Sequence, residues 1–163
     1  QENNSSYKSR SLEMLEEALE DVRDLSHLLY PSIIEHIGLE KAISSVVSKG
    51  LYGTDIKYSV DIPTLNVSKE LELLLYRAAQ EFVNNMLKHS DANVFDLAIE
   101  AKSFSNEVII TATDNGAEPF TVKEFAFGLN MLKQQAALFD GDLHTQRAAN
   151  GLNMITLNIF DNQ

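Results

Sequence analysis

Arg77-Ala-Ala-Gln-Glu-Phe-Val-Asn-Asn-Met-Leu-Lys-His-Ser-Asp-Ala92 carries more of the fold than any other stretch of this chain. Around and within it, Leu71, Leu74, Leu75, Ala78, Ala79, Phe82, Val83, Met86 and Leu87 recur at helical spacing. At about 100° per residue they fill one broad arc. Glu81 and Lys88 fall at one edge of that arc, Asn85 and His89 fall inside it, and Asn84 points away. A carboxylate, a carboxamide, an amine and an imidazole on a core-facing surface need partners. Glu81 and Asn85 are one turn apart and stack on one face. Oxygen ligands at that spacing suit a hard cation and a positioned water.

The flanking pattern predicts an α+β domain. Residues 9–29 read as an acidic helix, with Leu12, Leu15, Leu19, Val22, Ser26 and Leu29 alternating steps of three and four, stopping at Pro31. That seam fits either a dimer contact or a helix packed on its own domain. A second helix is expected over 39–49, bounded by Gly38 and by Gly50 and Gly53. Ile56, Tyr58 and Val60 alternate, so 55–61 is a strand. The long helix spans about 68–90, with Ser68 as its cap. Strands are expected at 94–101 and 107–113, then a loop over 114–126, a helix over 127–139 and a turn at Asp140-Gly141. Strands at 143–147 and 154–160 follow. Helices on one side of an antiparallel-rich sheet make a two-layer sandwich.

Bulk properties narrow the function. A chain of 163 residues with 44% hydrophobic residues buries a proper core. A net charge of −11 argues against non-specific binding to nucleic acid or to an anionic membrane. There is no cysteine, hence no disulfide framework or thiol chemistry. No apolar run approaches the roughly 20 residues of a membrane span. No signal peptide is visible. The polar opening, Gln1 to Arg10, reads as the start of a piece of something longer.

Two further motifs carry chemistry. Asp114-Asn115-Gly116 follows the apolar strand Val108–Thr113. An aspartate there presents a carboxylate in a pocket, suited to an exocyclic amine such as adenine's, or it is part of a plain turn. Gly128-Leu129-Asn130 opens a helix, where a glycine lets a phosphate approach free backbone N–H groups. Alone it is a weak signal.

In this order the pieces resemble the ATP-binding domain of bacterial sensor histidine kinases, within the superfamily that includes gyrases. Gln80-Glu81, Asn85, Lys88 and His89 match the asparagine box of the subfamily that partners NarL-type regulators. Asp114-Asn115-Gly116 matches the first glycine box. Gly128-Leu129, Lys133, Ala136 and Gly141 match the second box and the helix after it. Residues 15–43, with Arg23, Leu28, Pro31 and Gly38-Leu39, look like the second dimerisation helix and its exit.

The resemblance implies a Bergerat-type α/β sandwich with a mixed, mostly antiparallel sheet over 32–163, preceded by a partial dimerisation helix over 1–31. It implies ATP as substrate and Mg2+ as cofactor. Asn85 would be the magnesium ligand. Glu81 would be the catalytic group, orienting water and the transferring phosphate. Lys88 and His89 would lie near the phosphates, with Gly128 and Leu129 beneath them. Asp114 would receive the adenine amine, and Gly116 would let the ring approach. The partners implied are a response regulator receiver domain and a second copy, paired through residues 9–29 and a first helix. The phosphoacceptor histidine belongs on that first helix, ahead of residue 1. His27 reads instead as a packing or helix-end histidine. The implied location is a cytoplasmic domain of a membrane-anchored receptor.

The chain departs from the pattern in several places. Glu118, followed by Pro119, replaces the second glycine of the first box. Ala126 stands where the second box has its first glycine, and Gln135 where an arginine is common. The last box, usually Gly-x-Gly-Thr, reads Asn150-Gly151-Leu152-Asn153. These changes predict weak nucleotide binding. They also leave room for a second reading, a histidine-kinase-like scaffold or phosphotransfer protein that has lost ATP. A third reading, an anti-sigma-factor kinase, conflicts with the dimerisation-helix signature.

Overall fold

The structure, a computed structural model, describes residues 31–102, 104–117 and 127–161. The expected helix over 9–29, His27, Glu118, Pro119 and Ala126 lie outside the described residues.

Helix α1 (Ser32–Ile37) follows Pro31, whose φ of −63° suits a helix start. The sequence pattern did not single it out, because six residues are too few to show a period. Gly38, at φ +80°, ends α1 and begins α2 (Leu39–Gly50). A left-handed backbone at this junction is what a glycine is suited to. Helix α2 buries Leu39, Ala42, Ile43 and Val47. Strand β1 (Lys57–Asp61) leads through a loop to α3 (Lys69–His89). Ser68 caps α3, its hydroxyl accepting the Leu71 N–H at 3.3 Å. After α3 come β2 (Val94–Lys102), β3 (Glu107–Asp114), α4 (Phe127–Ala137), β4 (Asp142–Arg147) and β5 (Asn153–Phe160).

The five strands lie in the order β1-β2-β3-β5-β4. β1 runs parallel to β2, and every other pairing is antiparallel. The parallel pair follows from its connection, since a long helix carries the chain back before β2 begins. The sheet is mixed and mostly antiparallel, as the α+β reading expects.

Alternation assigns the faces. Phe95, Leu97 and Ile99 of β2 are buried against the helices, as are Val108, Ile110 and Ala112 of β3. Ile155, Leu157 and Ile159 of β5 complete the layer. Helix α3 fills the other half of the core with Leu71, Leu74, Leu75, Ala78, Ala79, Phe82, Val83 and Met86. The buried series of β3 and β5 each end on a polar residue, Asp114 and Asn153.

Two expectations on α3 are corrected. Leu87 is 39% exposed, since it sits at the far margin of the apolar arc. His89 is exposed although its angle is central. It is the last residue of the helix, and the core no longer faces it there. Helix α4 stops at Ala137, two residues before the expected end. Asp140, at φ +51°, turns the chain, and the Gly141 N–H returns to the Ala136 carbonyl at 2.9 Å.

Candidate functional site

The C-terminal half of α3 organises the site. Asn85 is buried, with 4% of its surface exposed. Its Nδ2 donates to the Glu81 main-chain carbonyl at 2.7 Å. The donor end is thus turned to the helix, and Oδ1 is the end left for a ligand. A carbonyl oxygen so oriented suits a cation.

Glu81 is half-buried and reaches the first turn of α4. A Cβ added at Gly128 would land on the Glu81 carboxylate, so a side chain there would have to displace it. The α4 N-terminus, at the positive end of the helix dipole, favours an anion at this place. The Leu129 side chain is buried in the core, so its contribution to any ligand comes from the backbone. Lys88 and His89 are both exposed, in the last turn of α3.

The second half of the site is built on Asp114, which is 2% exposed. Three donors converge on its Oδ1. They are Ser90 Oγ at 2.9 Å, the Gly116 N–H at 2.8 Å and Asn153 Nδ2 at 3.1 Å. Oδ2 is left to accept from a ligand. Gly116 is required by close approach. A Cβ there would lie 2.9 Å from Asp114 Oδ1 and 3.1 Å from Asp91 Oδ1, and nearer still to Ser90 Oγ. Asn115 points elsewhere: its carboxamide accepts from the Asn93 and Val94 N–H groups, both at 3.0 Å, and anchors the start of β2. Asp91 accepts the Ala117 N–H at 2.8 Å. The segment after α3 and the turn after β3 are therefore interlocked.

The structure brings Glu81, Asn85 and Gly128 together at one end of this surface. Asp114 and Gly116 lie at the other, joined through Ser90 directly after α3. Sequence reasoning missed Ser90, Asp91, Asn153 and Arg147. Ser90 follows a helix end, where hydroxyls commonly find backbone or carboxylate partners. Asn153 shows only as a polar residue opening an otherwise alternating apolar strand.

Among the described residues, no cluster of three or more histidine or carboxylate side chains is able to hold a metal. A cation at Asn85 and Glu81 would complete its shell with water and ligand oxygens, a common arrangement for Mg2+. Two cavities of about 310 and 240 Å3 flank the 62–67 loop. The larger touches Lys102 and Glu107, at the opposite end of the sheet from Asp114.

The sequence matches no protein-family model. Solved structures match the fold. The histidine kinase domain of the blue-light activated histidine kinase from Erythrobacter litoralis aligns with a TM-score of 0.63 at 19% identity, covering 77% of this chain and 60% of that one. The ATP binding domain of PrrB from Mycobacterium tuberculosis aligns with a TM-score of 0.57 at 22% identity, covering 77% and 92%. The Acinetobacter baumannii histidine kinase AdeS aligns with a TM-score of 0.57 at 19% identity, covering 93% and 82%. This chain has the fold of a histidine kinase ATP-binding domain. It spans 60% of the Erythrobacter kinase domain and 45% of the longer chain of the same kinase. No helix among the described residues is long and apolar enough to cross a membrane.

Proposed function

We propose that this chain is the nucleotide-binding part of a sensor histidine kinase of the subfamily that partners NarL-type regulators. The observation that carries this reading is Asp114. A carboxylate this buried, with Oδ1 saturated by three donors and Oδ2 left over, is a ready acceptor for the exocyclic amine of adenine. Gly116, with no side chain, would let the ring approach it. The triphosphate would extend along α3 toward Glu81 and the glycine-opened N-terminus of α4.

The donor set fits a hard cation: a carboxamide oxygen turned outward at Asn85, with the Glu81 carboxylate one turn away. When bound, Mg2+ would neutralise phosphate charge and hold the phosphates for transfer. Glu81 would orient the water and the transferring group. Lys88 and His89 would lie near the phosphates, with Lys88 adding positive charge there. In the whole protein the phosphoryl group would pass to a histidine outside this chain and on to a response regulator receiver domain. Residues 1–31 would form a dimerisation helix, 32–163 the nucleotide-binding domain, and the whole would sit on the cytoplasmic side of a membrane-anchored receptor.

Calorimetry with ADP and Mg2+ tests the reading. The parent chain is expected to bind weakly, and Asn85→Ala to lose the part of the affinity that depends on the metal. Identical heats for the two would remove Asn85 from the metal site.

The second reading, a scaffold without nucleotide, draws on Glu118, Ala126 and the altered last glycine box in the sequence. A thermal shift separates the two. A ligand at a hundred times its Kd stabilises the folded state by about 2.7 kcal/mol. No shift at millimolar ATP with magnesium favours the scaffold.

A further inference from the structure

At the end of the sheet away from Asp114, Asp161 follows directly on β5. Its N–H donates to the Asn106 carbonyl at 2.9 Å, and its Oδ2 accepts the Ser68 N–H at 3.2 Å. The other carboxylate oxygen, Oδ1, is buried and has no hydrogen-bond partner. Among the described residues no other buried side-chain oxygen or nitrogen is left so. Buried polar atoms are nearly always satisfied. A carboxylate oxygen is among the costliest to leave without a donor.

Asp161 also lines the cavity of about 310 Å3 beside the 62–67 loop. Leu65 and Val67 of that loop and Val108 of β3 give the cavity apolar surface. Two further charges line it, Lys102 and Glu107, and they pair with each other at 2.8 Å. That pair is neutral as a unit, so the Asp161 carboxylate is the charge left over. The net charge of −11 adds a field of the same sign. An anion is therefore repelled. A bare metal ion would find too few ligands, since no group of three carboxylates or histidines lies together among the described residues. An organic cation matches both surfaces, with N–H donors for the carboxylate and an alkyl chain for the apolar side. The terminal torsion of an aspartate is broad, and a single 3.2 Å bond restrains it weakly. The carboxylate is thus able to turn an oxygen toward a donor in the cavity.

We propose that this cavity binds a small primary alkylammonium ion. Its N–H groups satisfy Asp161, and its chain packs on Leu65, Val67 and Val108. The site is separate from the Asp114 surface and does not depend on the nucleotide reading. Ser68 donates to Asp161 and also caps α3, so the Ser68 amide reports occupancy.

The test follows the main-chain amides by NMR while n-butylammonium is added to the chain. Saturable shifts are expected at Ser68, Asn106 and Val108, with a Kd of about 1 mM for a ligand of so few atoms. Neutral n-butanol is expected to leave these amides unmoved. Asp161→Asn keeps the shape and an acceptor for Ser68 but removes the charge, and should weaken binding at least about tenfold. Ala101 borders the cavity and is exposed, so Ala101→Phe should fill the space without entering the core and weaken binding likewise. Thermal unfolding of both variants verifies that they fold. Nα-acetyllysine methylamide carries the same ammonium on a peptide unit and is expected to bind no better than n-butylammonium. Much tighter binding of the lysine derivative would assign the cavity to a lysine of a protein partner and overturn the small-ligand proposal. The absence of saturable shifts would overturn the site. Equal shifts in Asp161→Asn, or with n-butanol, would overturn the role of the carboxylate. So would a crystal structure with an ordered water on Asp161 Oδ1 that n-butylammonium does not displace.

Discussion

Asn153 stands directly opposite Asp114 in the β3–β5 ladder and donates its amide to the carboxylate at 3.1 Å. Both groups are almost fully buried, so the bond is made where water does not replace it. Asn153→Ala is expected to destabilise the fold by about 1–3 kcal/mol, the usual cost of leaving a buried polar partner unsatisfied. Asn153→Thr keeps a hydroxyl on the row and should recover part of the loss. Urea unfolding at neutral pH measures both, and a parent-like midpoint for Asn153→Ala would show that the bond adds nothing.

Gly128 and Glu81 make a prediction of sign. Replacing a glycine by alanine inside an exposed helix ordinarily stabilises by up to about 1 kcal/mol. Here the new methyl would meet the Glu81 carboxylate. That carboxylate is the tip of a flexible side chain and is able to swing aside, so Gly128→Ala is expected to keep a stabilising sign but only part of the usual gain. In a Glu81→Ala background the full gain should return. A double-mutant cycle reads the coupling directly. Additive effects would place the Glu81 side chain away from α4.

Ser68 caps the helix that carries the site. Its hydroxyl accepts the Leu71 N–H, while its own N–H reaches Asp161 Oδ2 at 3.2 Å. Ser68→Ala removes only the first contact and is expected to cost about 1 kcal/mol. Ser68→Gly should cost a few tenths. Thermal unfolding of the two variants beside the parent checks the order.

The β4 edge carries a group that responds to acid. The Leu143 N–H, at 2.8 Å from Asp142 Oδ1, holds the Asp142 carboxyl below its ordinary range, and Lys133 at 3.3 Å and His144 at 3.5 Å add to the effect. A depressed carboxyl contributes stability above its unfolded value, about 3.9. That contribution fades as the pH falls through the folded value. The side chain is 46% exposed, so water screens the effect. Asp142→Asn is expected to lower stability by less than about 1 kcal/mol at neutral pH. The gap should close in acid, and denaturation series at pH 7 and below pH 4 follow it.

Periodicity exposed most of the architecture. The three-and-four spacing from Leu71 to Met86 located α3, and the alternation in 94–101, 107–113 and 154–160 located β2, β3 and β5. Helix α1 is too short to leave a period. The parallel pairing of β1 with β2 depends on where the α3 connection returns the chain, which local pattern does not record. The site divides the same way. Asn85 was legible because a polar residue interrupts an apolar arc on its own helix. Asp114 was legible because it ends a buried strand. Ser90, Asn153 and Arg147 became visible only through strand register and long-range contact. His89 misled because angle around a helix says nothing about distance past the end of the core.

Helix α3 has two allegiances, and they constrain how this chain is able to drift. Leu71 through Met86 hold the sheet to the helical layer, so every ancestor and descendant that folds must keep the helix. Glu81 and Asn85 are passengers on an element that survives with or without a ligand. Asn153, Ser90 and Gly116 meet Asp114 at the margin of the core, where lost binding would relax selection soonest. Among homologous chains, covariation of position 153 with position 114 is therefore a more discriminating record of retained binding than the persistence of the helix.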